Sequence, residues 1–260
     1  MSALLIDIND KNVATLTLNR PLTHNAIDDQ LINQLMATLR DFEMKPQLRA
    51  VLLMANGPSF CAGADLQWMK RTASYSQQEN LRDAEQLAGV MRRLSILPKP
   101  TIAVVQGAAY GGGVGLVAAC DIAIAAESAT FSLSEVKLGL IPSVISPYVI
   151  SAIGARAARR YFLTAERFSA TEAHALGLIH EVVPLDTLAR RADMLVEALL
   201  EGGPRAQTEA KKLVSDVAGR PIDSNIMDET ARRIANIRAS DEGREGVAAF
   251  LDKRKPNWTK

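Results

Sequence analysis

Two short stretches of small residues carry the chemistry this sequence could do. In QGAAYGGGVGLVAACD, residues 106–121, Gly111, Gly112 and Gly113 are consecutive and no charge occurs before Asp121. In PSFCAGADL, residues 58–66, Ala62, Gly63, Ala64 and Asp65 leave the main chain similarly open. Residues with little or no side chain let a ligand approach the backbone, and the first N–H groups of a helix have no intrahelical partner. Two such N–H groups, one of them at the positive end of a helix, can hold a developing negative charge as an oxyanion hole does. Each stretch alone would also suit a plain strand-to-helix turn; together they favour chemistry.

Other readings of the glycine run are weaker. Residues 101–120 are uncharged over a bilayer-spanning length, but they are rich in glycine and alanine with Gln106 among them. Gly113-x-Gly115-x-x-Ala118 fits the dinucleotide pattern, yet seven residues separate Val105 from Gly113, where that motif turns directly after its strand. His24, His174 and His180 are scattered without nearby cysteine, which gives no support to a metal site. No G-x-S-x-G elbow occurs.

These residues must be positioned by a sizeable fold. The chain has 260 residues, 48% hydrophobic and 23% charged, with 30 basic against 29 acidic residues and a net charge of +1. That balance argues against general affinity for DNA, RNA or anionic membranes. Two cysteines, Cys61 and Cys120, are too few for a disulfide framework. The N-terminal segment lacks the pattern of a secretory or transit peptide, so a cytoplasmic protein is expected.

Alternation of Leu4, Ile6 and Ile8, then of Val13, Leu16 and Leu18, predicts a β-hairpin. Leu31, Ile32, Leu35, Met36, Leu39 and Phe42 form a helical stripe starting near Asp28. RAVLLMANG reads as a buried strand, 76–94 as a helix, and TIAVVQG as a strand buried on both faces. DIAIAAESATFSLSE is again strand-like, and 155–162, 170–176, 187–200, 205–217 and 223–239 are helix-compatible. The order predicts an α/β core, largely parallel, followed by a mostly helical last third.

NRPLTHNAI, FCAGADL, AAYGGGVGLVAACDIAIA, FSLSEVKLGLIP and FLDKRKPNW, spread over residues 19–258, resemble the landmarks of the enoyl-CoA hydratase/isomerase (crotonase) superfamily in its order. The resemblance implies a crotonase-like spiral of ββα turns over 1–195, a C-terminal helical trimerisation region over 196–260, and trimers or pairs of trimers. It also implies an acyl-CoA thioester as substrate, with CoA its only cofactor-like part. The backbone donors of the family's oxyanion hole match Ala64 and Gly112, with Gly63, Asp65 and Gly111 beside them. Ala62 and Leu66 match the adenine-pocket region, and Lys253 and Lys255 the basic stretch near the CoA phosphates.

Hydratases of the superfamily usually present two glutamates. One matches Glu135; the other is replaced here by Gly115. Ser143, Ser146 and Tyr148 are polar candidates to fill the gap, with Ser143 and Tyr148 expected at the substrate. The pattern most resembles the branched-acyl subgroup acting on 3-methylglutaconyl-CoA or its isoprenoid-chain counterparts, and a distal carboxylate on the acyl group would be met by Lys70, Arg71 or Lys137. The expected activity is hydration of a short, branched enoyl-CoA with Glu135 as acid and base. The alternatives are a Δ3-Δ2-enoyl-CoA isomerase, a decarboxylase, or a non-catalytic acyl-CoA- or RNA-binding protein.

Overall fold

The computed structural model describes residues 2–259. The alternating N-terminal segment pairs as an antiparallel hairpin, β1 (Leu4–Ile8) with β2 (Val13–Leu18). Helix α1 (Asp29–Glu43) begins where the Asp28 carboxylate accepts from the Leu31 N–H at 2.8 Å, and it buries Leu31, Ile32, Leu35, Leu39 and Phe42. Asp28 satisfies one of the orphan donors at that end.

The chain then repeats one gesture three times. The first turn is β3 (Ala50–Ala55), β4 (Ser59–Cys61) and the helices α2 (Leu66–Thr72) and α3 (Gln77–Ile96). The second is β5 (Thr101–Val105), β6 (Ala108–Tyr110) and α4 (Gly112–Ala119). The third is β7 (Ile122–Ala126), β8 (Thr130–Ser132) and α5 (Ser146–Thr164). Each turn lays one strand in each of two sheets. The larger runs β1-β2-β3-β5-β7, parallel from β2 onward; the smaller has β4, β6 and β8 parallel. This is the spiral of ββα turns. DIAIAAESATFSLSE is thus two strands, β7 and β8, lying in different sheets.

Beyond α5 come β9 (Phe168–Ser169), which closes the small sheet antiparallel to β8, then α6 (Ala170–Leu176) and β10 (Glu181–Val183), which extends the large sheet beside β7. Helices α7 (Leu188–Glu201), α8 (Pro204–Val217), α9 (Ser224–Ala239) and α10 (Asp241–Leu251) complete the chain.

Strand alternation splits the core. Leu16, Leu53, Ala103, Val105 and Ala125 face the main core with α1, α3 and α4, whereas Val13, Leu52, Val104 and Ile124 face Leu188, Ala192 and Val196 of α7. Strand β5 is buried throughout because the sheet is covered on both sides. The expected division after residue 195 falls inside α7. The uncharged run 101–120 is β5, β6 and the buried α4, and no helix among the described residues is long and apolar enough to cross a membrane.

Candidate active site

The small sheet gathers three loops at one edge. Strands β4, β6 and β8 run parallel, so their carboxyl ends point the same way and deliver Ala62–Ala64, Gly111–Gly112 and Ser134–Glu135 to a common cavity of about 470 Å³. Ligands in parallel sheets commonly bind outside the carboxyl ends of the strands. The Gly111 N–H donates to the Ser132 carbonyl at 2.9 Å, extending the β6–β8 pairing to the brink of α4.

Among the described residues, the Ala64 and Gly112 N–H groups at this edge have no main-chain acceptor. Ala64 bridges Ile27 in parallel fashion, but the bonds are made by its neighbours: Ile27 N–H donates to Gly63 O at 2.7 Å and Asp65 N–H to Ile27 O at 2.8 Å. The Ala62 N–H is taken by the His24 carbonyl at 3.0 Å. The Gly63 N–H faces the Cys61 thiol, and the Ala64 N–H is without such an acceptor. The second is the Gly112 N–H, the first of α4, where the helix dipole adds positive potential.

Glu135 opens a 3-10 turn over Glu135–Leu138, just after β8. Its Oε1 lies 3.1 Å from where a Gly111 Cβ would stand, and Gly111 sits at φ +50°, ψ −118°, so glycine is required there on two counts. Its Oε2 is buried and has no hydrogen-bond partner. Burial pushes the carboxyl above the usual glutamate range, opposed only by its own backbone N–H. A carboxyl with a buried, unsatisfied oxygen, in the same cavity as these two amides, is the group expected to exchange a proton with a ligand.

Of the residues expected from sequence, Ala62, Gly63, Ala64, Leu66, Gly111, Gly112, Glu135 and Ser143 line this cavity. Four do not. Asp65 turns its carboxylate into the protein, capping α2 through the Gln67 and Trp68 N–H groups at 2.8 and 3.2 Å and pairing with Arg20 at 3.0 Å. Burial alone would raise its pKa, but the two amides and Arg20 together hold it below the usual range. It is a positioning residue for the Ala64 loop, not a ligand contact. Tyr148 packs on the main core from α5, while Lys253 and Lys255 lie exposed past α10, outside the cavity lining.

The gap at Gly115 is filled by hydrocarbon. A Cβ there would meet Ile145 Cγ2 at 2.2 Å and Met91 Cε at 3.1 Å. Neither Ser143, Ser146 nor Tyr148 occupies it; Ser146 Oγ donates to the Ser143 carbonyl. Nor does a candidate cation reach the cavity: Lys137 Nζ donates to the Ala165 carbonyl, Arg71 pairs with Asp29, and Lys70 is not part of the lining. Cys61 is a packing residue, its Cβ and carbonyl pressed on Gly113 and its thiol pushed up to about 12 by burial.

Sequence reasoning missed four contributing residues. Ile145 was invisible as a plug because nothing in the sequence places it over Gly115. Asp83 and Trp68 share a hydrogen bond at the cavity wall, but the polar face of α3 reads as solvated. Buried Asn25 accepts from the Arg20 N–H and donates to the Asn56 and Ser59 carbonyls, bracing the loop that holds Ala62.

A spiral of ββα turns with two amides and a carboxyl oxygen without a partner facing one cavity defines an enzyme suited to reactions through an oxyanion. The sequence profile described as enoyl-CoA hydratase/isomerase matches residues 9–260, and the chain belongs to that family. It is 34% identical to 1,2-epoxyphenylacetyl-CoA isomerase of Escherichia coli (strain K12), covering 100% of this chain and 99% of that one. Among solved structures, an enoyl-CoA hydratase from Shewanella pealeana superposes with a TM-score of 0.95 at 48% identity, covering 98% of this chain and 96% of that one. An enoyl-CoA hydratase from Mycobacterium smegmatis does so at 0.94 and 32% identity, covering 100% of both.

Proposed function

We propose that the protein hydrates the C2=C3 bond of a short, branched enoyl-CoA. The observation that carries this reading is the convergence on one cavity of the Ala64 and Gly112 amides and the unpartnered Oε2 of Glu135. With the thioester oxygen between the two N–H groups, Glu135 takes a proton from water as the oxygen adds at C3. The electron pair moves through C2 to the thioester oxygen, giving an enolate. Glu135 then returns the proton to C2 and is regenerated. Losing one oxyanion donor costs about 2.7–4 kcal/mol of transition-state stabilisation.

CoA enters as part of the substrate. A 3-methylglutaconyl-type acyl group would need a cation, and among the described residues no Lys or Arg lines the cavity, so a neutral branched chain fits better. Assembly into trimers is supported by the large apolar side chains that the last helices leave outside, Phe250 of α10 being 82% exposed.

One observation favours a second reading. Ile145 occupies the place of a second carboxylate, and a single acid/base suits an isomerase that moves one proton between C2 and C4. Absorbance of the conjugated enoyl thioester separates the two: it is lost when water adds to crotonyl-CoA and appears when a 3-enoyl-CoA isomerises. Loss supports the hydratase, appearance with no hydration supports the isomerase, and neither with any ester of a short-chain panel would leave a non-catalytic acyl-CoA binder.

A further inference from the structure

The cavity holds one more ionisable group than the proposed chemistry uses. Asp83 lines it from α3, on the same face as Asn80, Ala84 and Leu87. Its Oδ1 accepts from the indole Nε1–H of buried Trp68 at 3.2 Å; among the described residues its Oδ2 has no hydrogen-bond partner. Trp68 stands on α2, whose start is fixed by Asp65, so the pair spans two elements and its position is set by both.

Asp83 does not stand in for the missing glutamate. The α3 residue that touches the Gly115 position is Met91, eight residues further on, which is roughly 12 Å along the helix axis. Asp83 therefore lines the cavity well away from the place vacated at Gly115. Among the described residues, the lining itself holds no cation. Glu135 and Asp83 are the charged residues of the lining, and Arg71, the cation that acts on Asp83, is bound to Asp29 at 2.6 Å.

Resting on the acyl-CoA reading above, we infer that the Trp68–Asp83 pair selects the class of acyl group: uncharged chains enter, a chain bearing a hydroxyl gains a hydrogen bond to Asp83 Oδ2, and a chain ending in a carboxylate is turned away. A second anion beside a fixed carboxylate is repelled in a cavity partly closed to water, whereas a hydroxyl donor meets a charged acceptor. Selection of this kind works by exclusion as much as by attraction.

Equilibrium binding of unreactive saturated esters to the whole protein tests this without turnover. Pentanoyl-CoA, 5-hydroxypentanoyl-CoA and glutaryl-CoA have acyl chains of similar length, and calorimetry at mildly alkaline pH compares them in wild type and in Asp83→Asn. Wild type is expected to bind glutaryl-CoA at least about tenfold more weakly than pentanoyl-CoA, and 5-hydroxypentanoyl-CoA more tightly than either. In Asp83→Asn the glutaryl penalty shrinks to under about threefold. A merely structural Trp68–Asp83 bond would alter the melting temperature and leave the ratios alone, which overturns the inference. Equal binding of all three esters to wild type overturns it too, even if the variant fails to fold. If none of the three binds, the acyl-CoA reading itself falls and this inference with it.

Discussion

Glu135 carries a thermodynamic signature as well as a chemical one. Burial raises its folded-state pKa above the ordinary glutamate value, so between the two values the native state binds more protons than the unfolded state, and stability falls as pH rises through that window. Glu135→Gln removes this penalty: its melting temperature at neutral and alkaline pH should equal or exceed that of wild type. In the same variant kcat should drop at least about 100-fold while affinity for a saturated acyl-CoA stays near wild type. Unchanged turnover would remove Glu135 from its role. Because the base must be deprotonated, the acid limb of kcat/KM against pH should lie above the position of an ordinary glutamate. Asp65 behaves oppositely. Its pKa is held low, so its contribution is present above the unfolded value and disappears as pH falls through the folded one. Arg20 pairs with both Asp65 and Asp28 at 3.0 and 2.9 Å, and Arg20→Met should cost about 3 kcal/mol in denaturant titration by stranding two part-buried carboxylates.

Between elements, the decisive contact is α4 against the start of α5. Gly115→Glu alone would drive its side chain into Ile145, and overpacking of this kind costs about 1–3 kcal/mol before any cost of burying the charge. Gly115→Glu combined with Ile145→Ala should recover part of that loss and, if the two-carboxylate pattern is what hydration needs, raise the hydration rate over that of Ile145→Ala alone. A melting series with crotonyl-CoA assays on the three variants decides it. Most elements were legible where one face is apolar: α1 and β5 announce themselves by their periodicity. Helix α10 did not, because Gly243 and Gly246 dilute its pattern; both are demanded by packing, a Cβ at Gly243 standing 2.1 Å from the Ile237 carbonyl and one at Gly246 2.9 Å from Trp258. That the Ala62–Ala64 and Gly111–Gly112 loops and Glu135 share one cavity was legible through small residues and the resemblance. Asp65 was misassigned because a carboxylate in a glycine-rich loop looks like a ligand contact when it is a helix cap. Ile145 and Asp83 depend on long-range packing that no local spacing records.

Across the whole molecule, the last third is fastened to the spiral by polar ties. Asp121, which ends the uncharged run, accepts from the Thr101 N–H and hydroxyl at 2.8 Å and from Lys211 of α8 at 2.7 Å. Arg49 donates to the carbonyls of Leu200, Gly202 and Trp258. Asp121→Ala should lower stability by about 2–4 kcal/mol, read by denaturant midpoint, since Lys211 and Thr101 lose their shared acceptor. Light scattering on the same variant will show whether loosening α8 also weakens the proposed trimer. The smaller sheet has a consequence of its own. Its strands are three residues long in β4, β6 and β8, and each comes from a different turn of the spiral, so the amides and the carboxyl meet only if three distant segments settle in one register. A slip of one residue would shift a loop by roughly 3.3 Å, more than a hydrogen bond is long. Regained turnover during refolding is therefore a clock for the last of these pairings, and it should lag the recovery of helical signal.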